Sequence, residues 1–238
     1  MSPPRDSQRT PARALPPILA LVPVVAVAIG AWFGFDLSRA GKLSGYFWLA
    51  GPSFVFALVG VAWAVREKRA RTLLQPRWGD LSTGFLVALV MFGSSYGLVR
   101  MIVGAGKAIW VSRIYDQAGD TSVIREHLVL VALGIIAAAA AEEIVWRSLV
   151  RDLLAPRLGG KAWLASSVLY AIAHVPSMWK LSDDVMGKNP LIPFAALGAG
   201  IAFGAMVERG RRLAPAIIAH ALFDWTVIVI FRLYGTSV

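Results

Sequence analysis

The sequence predicts an all-α membrane protein, a polytopic bundle of about seven (six to eight) transmembrane helices, on three observations. Of the 238 residues, 57% are hydrophobic and the mean hydropathy is +0.64, above what a soluble domain of this length carries. The apolar residues are gathered into runs of roughly 20, the length that crosses a hydrocarbon core of about 30 Å. Lysine and arginine are gathered into short clusters between alternate runs, the distribution that marks cytoplasmic loops.

The first run, 15–35, follows Arg5, Arg9 and Arg13 as a signal peptide would, but it is long enough to span and lacks a small-residue cleavage site. It is therefore expected to be a transmembrane helix. Further runs cover 46–65, 83–104, 127–150, 161–175, 190–207 and 215–234. Helix is the default for each, because an isolated strand facing lipid leaves backbone groups unpaired at several kcal/mol apiece.

Loops 66–80, 151–161 and 209–212 carry the arginine clusters and are expected in the cytoplasm; loops 36–45, 105–126 and 176–189 mix signs and are expected outside. That alternation puts the N-terminus in the cytoplasm and the C-terminus outside. Three regions follow: a basic tail at 1–14, an N-terminal transmembrane region at 15–120, and a transmembrane core at 121–238 that holds the chemistry. The net charge of +10 is thus a matter of topology, and no nucleic-acid partner is expected. Tryptophans near span ends, such as Trp78, Trp163 and Trp179, suit the headgroup region.

With no cysteine and three histidines, thiolate metal sites and cysteine nucleophiles are excluded. What remains is a small set of polar groups inside apolar spans. Glu142 and Glu143 follow five alanines, and a central membrane charge costs about 2.5–3.5 kcal/mol, so the pair marks a functional site. Glu143 and Arg147 are spaced for an i,i+4 ion pair, which leaves Glu142 on another face. The fifth run ends Tyr170-Ala-Ile-Ala-His174, and the seventh contains His220-Ala-Leu-Phe-Asp224. Glu142 lies 14 residues before Pro156 and His174 lies 14 after Gly160, so both sit roughly 21 Å from the same turn. His220 counts to roughly 12–16 Å from the cluster at Arg209 to Arg212, a looser agreement that helix tilt can close. A carboxylate and two imidazoles converging in a membrane cavity can activate a water, with Glu142 as general base, His174 assisting, and a histidine stabilising the oxyanion. His127, at a span start, reads as interfacial.

In their order and placement, Glu-Glu-x-x-x-Arg, aromatic-x-x-x-His and His-x-x-x-Asp resemble the CPBP family, which includes the type II CAAX prenyl endopeptidases. The resemblance covers about 121–238. It implies a helical core with a cavity reached from the membrane or cytoplasmic side, cleaving peptide bonds near a protein C-terminus. Glu142 and His174 would activate water, Glu143 and Arg147 would support the site, and His220 and Asp224 would take the oxyanion-stabilising positions. Where the family often has phenylalanine this chain has Tyr170, whose hydroxyl can reach the site. An ionised Asp224 cannot donate to an oxyanion, so it must be protonated or must orient His220, and orientation is the favoured reading.

The expected protein is thus an intramembrane protease of glutamic type, with no cofactor favoured. Zinc held by Glu142, His174 and His220 is the alternative, although the His-Glu-x-x-His signature is absent. A proton-coupled transporter or a non-catalytic scaffold of the same fold are the rival functions. The expected partners are the lipid bilayer and a protein or peptide substrate with a membrane-associated C-terminal segment. Arginine outnumbers lysine 18 to 6, which points to a GC-rich prokaryotic source, hence a cytoplasmic membrane, and disfavours prenylated substrates.

Overall fold

The computed structural model describes residues 16–230, so the basic tail 1–14 and the end of the seventh run lie outside the described residues. Among the described residues the chain is helical, with no strand. Pro16 and Pro17 open a 3-10 turn (Pro17–Ala20) that leads into α1 (Leu21–Gly34), a use of proline where the missing N–H is not needed. Next come α2 (Leu43–Arg66), the short α3 (Ala70–Leu74), α4 (Asp80–Gly104), α5 (Ala108–Asp116) and α6 (Thr121–Glu126). The fourth run is α7 (Leu128–Ile144), which passes through a π-helical stretch, Val145–Val150, into α8 (Arg151–Leu158). After a 3-10 turn at Gly159–Lys161 follow α9 (Ala162–Ala173), α10 (Ser177–Lys180), α11 (Leu191–Gly210) and α12 (Ala214–Asp224), the last continuing as a π-helix, Trp225–Ile230.

Five helical runs are long and apolar enough to cross a membrane: Pro17–Gly34, Leu43–Arg66, Asp80–Gly104, Leu128–Lys180 and Leu191–Gly210. The run Leu128–Lys180 is interrupted by the 3-10 turn at Gly159–Lys161, and a further apolar helix, Ala214–Ile230, is shorter. The helical segments therefore fall where the apolar runs lie.

The distribution of side chains is that of a bundle in lipid. Large residues such as Phe47, Leu58, Phe85 and Val129 face outward, while buried positions are rich in alanine, serine and glycine. Lipid is as apolar as leucine, so helices gain by close backbone approach rather than by hiding large side chains. A Cβ on Gly84 of α4 would come within 2.7 Å of Ile218 on α12. On α11, Gly200 and Gly204 admit Ser167 and Trp163 of α9, and the Ser167 hydroxyl donates to the Gly200 carbonyl at 2.7 Å. The sixth-span glycines thus serve packing within the chain.

Charged groups close the two ends. At one end Arg69 pairs with Asp152, Arg151 with Glu208 at 2.9 Å, and Arg212 with Asp80 at 2.6 Å. At the other, Lys180 pairs with Asp36 at 3.1 Å, and the Asn189 amide donates to the Trp110 carbonyl at 2.8 Å. The loops that alternate in sequence are thereby sorted onto opposite ends.

Candidate active site

The alanines before Glu142 let neighbouring helices approach α7, with Ala139 and Ala141 buried. Glu143 is fully buried and Arg147 is 3% exposed. One Glu143 oxygen, Oε2, lies 3.2 Å from Nε of Arg147, so the i,i+4 pair forms. The other, Oε1, accepts from Nδ1 of His220 at 2.9 Å, a contact between α7 and α12. The Arg147 guanidinium lies over the Tyr170 ring at 4.9 Å and near Phe203 at 5.7 Å, and Phe203 stacks on His220 at 4.9 Å. Aromatic faces offset part of the cost of burying this cation.

Glu142 faces elsewhere, as its separate helical position requires. Its Oε2 accepts from the Tyr170 hydroxyl at 2.7 Å and lies 4.0 Å from Nε2 of His220. Tyr170 also holds His174, at the C-cap of α9: its carbonyl lies 2.8 Å from Nδ1 of His174, and the two rings meet edge to face at 4.6 Å. A carbonyl only accepts, so Nδ1 donates in this contact and Nε2 is the nitrogen left open.

Asp224 stands on the other ring nitrogen of His220, 3.4 Å from Nε2. Both carboxylates thus reach the His220 ring, Glu143 at Nδ1 and Asp224 at Nε2. The reason is the α7–α12 crossing, which sets the Glu143 carboxylate against Nδ1 while Asp224, one turn on along α12, reaches only the far edge of the ring.

These groups floor a cavity of about 240 Å3. Tyr170, His174, His220 and Asp224 line its polar side, and α4, α5 and α11 supply an apolar wall that includes Ile102, Val111 and Ile192. The wall thus draws on both sides of the division at residue 120. The part played by α5 was not read from the sequence, although Val111, Ile114 and Tyr115 share one helical face and signal an amphipathic element. The π-helical stretches that follow Glu143 and Asp224 were also missed, and such stretches recur at functional sites. His127 is exposed at the N-cap of α7, away from the cluster.

A zinc ion would need three of these donors at one point. Among the described residues no three His, Asp or Glu side chains are placed to hold a metal. Glu142 Oε2 and His220 Nε2 are 4.0 Å apart, whereas two tetrahedral ligands at about 2.0–2.1 Å from one ion lie roughly 3.3 Å apart. The donor set as arranged does not fit a three-ligand ion.

Residues 124–226 match the family model described as type II CAAX prenyl endopeptidase Rce1-like. No curated protein and no solved structure matches the chain. The matched span holds Glu142, Glu143, Arg147, Tyr170, His174, His220 and Asp224, and it supports an intramembrane endopeptidase acting on a membrane-associated peptide. The segment that builds the polar floor of the cavity is thus similar to the type II CAAX prenyl endopeptidase Rce1-like family.

Proposed function

We propose that the protein is a glutamate- and histidine-dependent intramembrane endopeptidase that cuts near the C-terminus of membrane-associated chains, without a prenyl requirement. The observation that carries this reading is the placement of Glu142: its carboxylate is held by the Tyr170 hydroxyl beside an apolar cavity, with Nε2 of His220 4.0 Å away. A water between Glu142 and the open Nε2 of His174 would give a proton to Glu142 as its oxygen attacks the peptide carbonyl. Nε2 of His220 would donate to the oxyanion, with Glu143 on Nδ1 stabilising the imidazolium. As the C–N bond breaks, the proton held by Glu142 passes to the leaving amine. The apolar wall suits a segment drawn from lipid and keeps bulk water from the reacting bond.

The test compares wild type with Glu142→Gln, at matched protein levels, on C-terminal reporter substrates in cells. Cleavage by wild type alone is expected. Equal cleavage by both would remove Glu142 as the base, and loss of wild-type cleavage on chelation would bring back a metal route.

A further inference from the structure

Arg147 belongs to two parts of the molecule. Its Nε meets Glu143 in the polar cluster, while the residue also lines a second cavity of about 230 Å3 at the arginine-rich end of the bundle. This pocket lies between α3, the π-helical stretch with the start of α8, and the last turns of α11, and it shares no lining residue with the first cavity.

Four arginines line it, Arg69, Arg147, Arg151 and Arg211, against two acids, Asp152 and Glu208. Each acid is already shared between arginines. Asp152 pairs with Arg69 and, at 3.2 Å, with Arg151; Glu208 pairs with Arg151 at 2.9 Å and with Arg211 at 3.1 Å. Among the described residues Arg147 pairs with Glu143 alone, and the second oxygen of Glu143 is held by His220. The pocket therefore carries more positive than negative charge.

Arg147 is buried, and among the described residues neither Nη1 nor Nη2 has a hydrogen-bond acceptor. The rings of Tyr170 and Phe203 offset part of its charge but supply no oxygen. Ser148, beside it in the chain, is 2% exposed and lines the same pocket, and its hydroxyl is likewise without a partner. Buried donors are costly to leave unpaired, so these call for an acceptor from outside the chain.

The donors set the chemistry of that acceptor. Two nitrogens of a planar guanidinium match two oxygens of one oxyanion, and the serine hydroxyl adds a third donor from another direction. A phosphate has the oxygens to meet all three. The volume is well above the roughly 10–15 Å3 that one water needs, so the pocket admits a polyatomic anion. Leu73 and Val207 give it an apolar border, and basic pockets between membrane helices are where lipid headgroups dock. We infer that this pocket binds a phosphate group, carried by free phosphate or by an anionic phospholipid headgroup, through Arg147 and Ser148 with Arg69, Arg151 and Arg211 around it. The bound group compensates the guanidinium one turn from Glu143 and so steadies the ion pair behind His220. Binding does not depend on the endopeptidase reading.

The test follows the melting temperature of the full chain, purified in a neutral detergent and washed free of co-purified lipid, as ligand is added at fixed ionic strength. One series adds inorganic phosphate, with chloride as its control. The other adds phosphatidylglycerol in mixed micelles, with phosphatidylcholine as its control. A saturable rise above the control is expected in at least one series, and the series that shows it names the source. Ser148→Ala removes one donor without adding volume, and Arg211→Glu reverses the charge of a side chain that is 66% exposed, so both should fold. Each should raise the half-saturating concentration roughly tenfold, and a rise in either variant places the group in this pocket. No effect above the controls in either series, or saturation alike in wild type and both variants, would overturn the inference.

Discussion

The Glu143 carboxylate lies between two partners from opposite directions, 3.2 Å from Nε of Arg147 on its own helix and 2.9 Å from Nδ1 of His220 on α12. Removing it leaves a buried guanidinium uncompensated, a loss of about 3–5 kcal/mol by the general behaviour of broken buried pairs. Glu143→Ala should therefore sharply lower folded yield and melting temperature in detergent. Combining it with Arg147→Met should recover part of the stability without activity.

Glu142→Gln and His174→Ala should leave the folded yield near wild type while lowering cleavage by about 10²–10⁴-fold, the span of a general acid–base contribution. Arg147→Ala should lower yield as well as activity. Purified amount and reporter cleavage, measured together, separate the two behaviours; equal activity in all three variants would refute the site.

Tyr170→Phe keeps the ring against Trp146, His174 and Arg147 and removes only the bond to Glu142. A hydrogen bond to a charged group contributes about 1.5–3 kcal/mol, so kcat should fall roughly ten- to hundredfold with KM little changed. An unaltered kcat would show that Glu142 is positioned by other means.

Outside the spans, the Asp36 carboxyl is held well below the usual carboxylate range by the Ser38 hydroxyl, then by Lys180 and the Ser38 amide. Asp183 is lowered by the backbone N–H groups of Met186 and Val185, with Arg113 a smaller cause. A depressed folded value means the contribution is complete above the unfolded value of about 3.9 and is lost as pH falls through the folded values. Thermal melts should be flat with respect to these groups from pH 5 to 8 and fall in stronger acid, and Asp36→Asn should weaken the fall.

Gly84→Ala places a methyl against Ile218 and the Pro215 carbonyl, so it should cost about 1–3 kcal/mol and reduce cleavage by displacing α12. At Gly97 the same methyl meets open space, and Gly97→Ala should be near neutral in both measurements.

The helical spans were legible because a membrane imposes length and apolarity on each, and the Glu143–Arg147 pair because i,i+4 neighbours meet within one helix. Glu142 and His174 could be placed at a common depth by counting residues, since straight helices convert number into distance, whereas His220 counts to a shallower level, roughly 12–16 Å from its own basic cluster. Which group meets which could not. The Glu143–His220 bond spans 77 positions and depends on how α7 crosses α12. The α5 wall was hidden for another reason: nine residues of mixed polarity read as a loop beside runs of 20.

At the tight crossings of α4 with α12 and of α9 with α11, one side of each contact is a glycine with no side chain to trim. Change at Gly84, Gly200 and Gly204 can only add volume, whereas change at outward residues such as Leu58 or Phe85 can go either way and meets fluid lipid. Drift over time should thus be asymmetric, with the outer surface free to adapt to membranes of different thickness while the spacing between helices, and with it the placement of His220, stays fixed.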